Sequence, residues 1–80
     1  MEEIAKKISD IIMELQPYVE FEHNTNLLEE DVLDSVSILV LIQEMEELFG
    51  IMVDPEEITE NNFKTLDNIV ELVIRKMNNK

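Results

Sequence analysis

The chain has 80 residues, 45% of them hydrophobic, with nineteen acidic and six basic residues and a net charge of −13. That length allows one domain with one modest core, read here as spanning 1–80, and that charge opposes nucleic acid and anionic lipid while favouring partners with basic surfaces. There is no cysteine, so a disulfide framework, a thiolate metal site and a cysteine nucleophile are excluded, and any thiol chemistry has to be borrowed.

Ile4, Ile8, Ile11, Ile12 and Leu15 recur at helical spacing and predict a first helix with one apolar stripe, which Pro17 ends. From Pro17 to Asp34 no period is sustained. The segment reads as a long loop pinned to the core by scattered apolar residues such as Leu27, Leu28, Val32 and Leu33. A second helix is predicted from Asp34 to Phe49, burying Ile38, Leu41, Ile42, Met45 and Phe49 with Leu48 beside them, and Gly50 supplies the stop.

Asp54-Pro55-Glu56-Glu57 has the form of an N-cap, a proline at the first helical position and a capping-box glutamate, so a short third helix is expected from there to about Asn61. Thr65 can cap a last helix whose stripe is Leu66, Ile69, Val70, Val73, Ile74 and Met77. Nothing alternates with period two over a useful length. The predicted fold is all-α: a bundle of three long helices and one short one, with a long loop between the first two.

The longest apolar run, Ile38 to Ile42, is far shorter than a membrane span, and the amino terminus lacks the basic-then-apolar pattern of a signal peptide. A cytoplasmic monomer that does not insert into membranes is expected.

The second helix has more apolar surface than one core needs. With Val36 at zero on the wheel, the core residues fall at roughly 120° to 240°, yet the opposite face carries Val36, Leu39 and Val40, then Gln43, Glu44, Glu46 and Glu47. Two readings stand: the long loop folds back over Val36 and Leu39, or the face is a docking surface whose acidic rim, with Glu56, Glu57 and Glu60 nearby in sequence, attracts a basic partner.

Ser35 lies where the loop becomes this helix. A serine there is commonly a cap; a helix start also favours a phosphate, because unpaired N–H groups and the positive end of the dipole face it. The string Leu33-Asp34-Ser35-Val36, then Ser37-Ile38-Leu39-Val40-Leu41-Ile42 and Met45-Glu46-Glu47-Leu48-Phe49-Gly50-Ile51, resembles the attachment motif and second helix of the acyl carrier proteins. Asn62-Phe63-Lys64-Thr65-Leu66-Asp67-Asn68-Ile69-Val70 is similar to that family's lead into its final helix.

The resemblance implies a carrier rather than an enzyme. Ser35 would receive 4'-phosphopantetheine from coenzyme A through a separate phosphopantetheinyl transferase, and the arm's thiol would carry acyl groups as thioesters between a loading enzyme and acceptor enzymes with basic docking surfaces. Asp34 would assist recognition or metal-assisted transfer, or simply cap the helix. The chain departs from carriers of primary fatty-acid synthesis at Val32, Val36, Ser37 and Val40, where those usually show Gly, Leu, an acidic residue and often another acidic residue. That suggests a dedicated carrier for a fatty-acid, polyketide or other specialised pathway, among them one handling an amino acid as the D-alanyl carriers do.

The alternative is an unmodified acidic helical adaptor or inhibitor in which Ser35 is only a cap, so that Ser35→Ala would cost roughly 1 kcal/mol of helix stability. Other constellations carry less. His23 is the only histidine and has no evident partner for a catalytic dyad, so no catalytic residue is assigned. Glu29, Glu30 and Asp31 lack EF-hand spacing and read as a solvated loop without metal.

Overall fold

The computed structural model describes residues 2–78. It contains α1 (Glu2–Leu15), α2 (Ser35–Phe49), a single 3-10 turn (Pro55–Glu57), α3 (Glu60–Phe63) and α4 (Leu66–Asn78), with no strand among the described residues. This is the all-α bundle expected, with a long loop joining α1 to α2. Among the described residues no helix is long and apolar enough to cross a membrane.

Each long helix buries the stripe its sequence lays down. Ile8, Ile11 and Ile12 of α1, Leu41, Ile42 and Met45 of α2, and Leu66, Ile69, Val70 and Val73 of α4 form one core. α4 packs against α1, α2 and α3, which explains Leu72: it lies off the α4 stripe, yet it is fully buried. Met77, in the last turn, runs past the core and is 39% exposed. Leu48, expected in the core, is 49% exposed; it sits at the edge of the α2 stripe, where packing by the neighbouring elements decides burial.

The third helix differs from expectation. Asp54 and Glu57 do pair, the Asp54 N–H donating to Glu57 Oε1 at 2.9 Å, but the turn they open is only three residues long and stops at Ile58. Thr59 is extended and starts α3 afresh, its hydroxyl oxygen accepting the Asn62 N–H at 3.2 Å. A second cap so close to the first divides what one helix would have spanned. Phe63 is the one buried residue of α3.

The long loop is fixed around Leu27, which is fully buried together with Val32 and Leu33. The Leu27 N–H donates to the Lys64 carbonyl at 2.7 Å, and the Leu27 carbonyl accepts the N–H groups of Val32 and Leu33 at 2.9 and 3.0 Å. The turn before α2 is thereby tied to the junction of α3 and α4. Closing it puts Asp31 at a φ of 58°, the left-handed region, a conformation Asp adopts at less cost than most residues with a Cβ.

Candidate functional site

The start of α2 is built by Asp34, not by Ser35. Asp34 is extended, and its Oδ1 accepts the Ser37 N–H at 2.8 Å, the geometry of an N-cap. That N–H, then the Ser37 hydroxyl, holds the Asp34 carboxyl below the usual carboxylate range. Ser35 is the first helical residue and is exposed. Of the two caps the sequence allows, Asp34 is the one used: the acceptor oxygen is its own, and the Ser35 hydroxyl is left for other chemistry.

The surroundings fit a phosphodiester on that hydroxyl. The first N–H groups of a helix have no intrahelical partners, and the helix dipole places partial positive charge there. α2 carries no acidic residue in its first turn, and Asp34, the one carboxylate adjoining it in sequence, is committed to Ser37. A cofactor bonded at Ser35 would meet an electrostatically favourable surface on its own helix.

One face of α2 stays open. Val36 is 70% exposed, Leu39 61% and Val40 37%, so the long loop does not cover them; its apolar residues turn inward around Leu27 instead. Gln43, Glu44 and Glu47 continue the exposed side. From Val36 to Glu47 this strip runs roughly 16 Å at the helical rise, apolar beside Ser35 and acidic at the far end, with no Lys or Arg on the helix.

The other acidic candidates are partly spoken for. Glu46 Oε2 accepts the Val53 N–H at 2.9 Å, fastening the chain after Gly50 back to α2. Glu57 bonds Lys76 Nζ at 2.8 Å, and Asp54 lies 3.6 Å from the same ammonium. The Lys76 hydrogen bond, then the Asp54 N–H, lowers the Glu57 carboxyl. Glu56 and Glu60 are exposed on the separate segment that follows. Neither the bond from Glu46 nor the Lys76 pairing carries a sequence signal, because each depends on where a turn brings distant residues.

His23 is exposed, with Nδ1 3.2 Å from Asp67 Oδ1; this joins the loop to the first turn of α4. Glu29, Glu30 and Asp31 are exposed, and among the described residues no group of three His, Asp or Glu side chains is arranged to hold a metal ion.

A comparison with curated proteins gives no match. The model of the family described as "phosphopantetheine attachment site" matches residues 2–73, nearly the whole chain and every element that builds the start and open face of α2. Members of that family are carriers rather than catalysts, and the domain is the attachment site for covalently bound 4'-phosphopantetheine. The chain belongs to the phosphopantetheine attachment-site family, the acyl carrier proteins and their relatives.

Proposed function

We propose that Ser35 is the attachment residue and that the chain carries an acyl or aminoacyl group between partner enzymes of a specialised pathway. The observation that supports this is the division of labour at the start of α2: Asp34 caps the helix, so Ser35 has no capping duty and offers an exposed hydroxyl. Loading forms a bond from Ser35 Oγ to the phosphorus of coenzyme A that bears pantetheine. The bond from that phosphorus to the nucleotide part breaks, the nucleotide leaves with its bridging oxygen, and the hydroxyl proton passes to a base of the transferase. The bound arm supplies a thiol, which this cysteine-free chain lacks, for thioester chemistry.

Transient docking falls to the strip from Val36 to Glu47. Val36, Leu39, Val40 and Gln43 meet the partner's surface close to Ser35, while Glu44 and Glu47 draw its basic residues during encounter. Glu56 adds exposed charge from the following turn. Glu46 and Glu57 contribute less, because each holds an intramolecular bond. The branched Val36 and Val40 in place of the usual residues favour partners dedicated to this carrier, and a net charge of −13 opposes self-association in the cytoplasm.

Because the chain has no thiol of its own, a thiol assay reads the arm directly. After incubation with coenzyme A, magnesium and a transferase, then removal of coenzyme A, the thiol count should rise from none to one per chain. A count that stays at none with an active transferase would favour the unmodified adaptor.

A further inference from the structure

One surface groove lies apart from the α2 face. It forms where α1 gives way to the loop, has a volume of about 740 Å³, and is lined by Met13, Pro17, Val19 and Phe21 with Glu20 and Glu22 beside them. No residue of α2 contributes to it. Its origin is readable in the chain: Met13 lies off the buried stripe of α1, Pro17 ends the helix, and exposure then alternates, with Val19 and Phe21 half-buried and Tyr18, Glu20 and Glu22 exposed.

Two features of this end of the molecule suit contact. Met13, a flexible apolar side chain of the lining, is 52% exposed, and Tyr18, next in sequence to the lining residues Pro17 and Val19, is 98% exposed. The charge in its lining has one sign: Glu20 and Glu22 are present and exposed, with no Lys or Arg beside them in that lining. On α1, Lys6 lies 3.3 Å from Asp10 and Lys7 lies 3.7 Å from Glu3, so these cations are already matched.

An occupant must therefore bring apolar side chains for the floor and positive charge for the rim. A fatty acid, an anionic lipid or a second copy of this chain, which carries −13, would be repelled. We propose that the groove is a second docking site, occupied by a cationic amphipathic segment of a partner protein whose Lys or Arg residues flank a row of apolar side chains. Held here as well as at α2, a partner would fix the carrier's orientation as well as its position.

The test uses the full unmodified chain labelled with ¹⁵N and a synthetic helical peptide of leucine and lysine with one apolar face. The expected result is that amide shifts of Met13 and residues 18–22 respond first, and that Glu20→Gln together with Glu22→Gln weakens this binding about tenfold. Both glutamates are exposed, so circular dichroism of the variant should match the parent. Shifts confined to residues 36–47 would overturn the proposal, as would equal binding of a serine–lysine peptide of the same charge, or unchanged affinity in the variant. Decanoate moving the same amides would overturn it too, by making the groove a site for acyl chains.

Discussion

Replacing Leu27 and Leu39 by alanine, one at a time, separates the two kinds of apolar residue this molecule uses. Leu27 is fully buried and Leu39 is 61% exposed. Removing three carbons from Leu27 loses about 2.4 kcal/mol of transfer free energy. The space left adds about 1 kcal/mol if some 40 Å³ stays unfilled. Collapse is limited because the Leu27 backbone is fixed by bonds to Lys64, Val32 and Leu33. The expected cost is about 3 kcal/mol against the roughly 4–12 kcal/mol typical of a domain this size, a fall in Tm of roughly 12–24 °C. Leu39→Ala should cost less than about 1 kcal/mol, since most of that side chain is already in water. Urea unfolding followed by far-UV circular dichroism suits a chain without tryptophan and yields both values by linear extrapolation. Equal costs for the two substitutions would refute the reasoning, because Leu39 would then be covered or Leu27 would not anchor the loop.

Three further outcomes follow from particular residues. Ser35→Ala should leave stability within about 0.5 kcal/mol of the parent in the same urea assay, since Asp34 supplies the cap and surface substitutions are usually of that size; a loss of 1 kcal/mol or more would return the capping role to Ser35. Thermal unfolding against pH should show two opposed effects below neutrality. Falling net charge relieves repulsion and raises Tm at first. Asp34 and Glu57 have folded pKa values below their ordinary 3.8 and 4.5, so the stability they contribute is present above those ordinary values and lost as pH falls through the lowered ones. Lys76→Met should flatten the part due to Glu57, and a parent profile that keeps rising through the acid range would contradict the assignment. Asp31→Gly should raise stability by about 0.5–1 kcal/mol and Asp31→Val should lower it, because the left-handed backbone suits Gly and penalises a branched side chain; chemical denaturation of the three chains decides it.

How much of this was legible depends on the range of the interaction. The stripes of α1, α2 and α4 could be read directly because period and burial are properties of a single helix. So could Gly50, which closes α2 in the left-handed conformation with its N–H on the Glu46 carbonyl. The open face of α2 was visible as surplus apolar residues, but only the loop's inward turn at Leu27 decided that the surplus stays exposed. Leu48 and Met77 differ from expectation, and the burial of Leu72 is not indicated by the stripe, because all three lie at the margins of stripes, where a second neighbouring helix, or its absence, sets burial. For the third helix, the cap at Asp54 predicts one continuous element, and a competing cap at Thr59, which carries the same kind of signal, divides it. At the site, the choice between Ser35 and Asp34 as cap was left open by a sequence in which both residue types suit the position. The salt bridges from Lys76 and the bond from the Val53 N–H to the Glu46 carboxylate depend on distances that no local pattern contains.

The measurement that bears most directly on the central claim is intact mass of the parent and Ser35→Ala chains after incubation with coenzyme A, magnesium and a promiscuous phosphopantetheinyl transferase. The parent should gain the mass of one phosphopantetheine group while the folded Ser35→Ala chain gains none. An equal gain in both chains would place the attachment elsewhere, and no gain in the parent alongside an active control carrier would contradict the carrier assignment for Ser35.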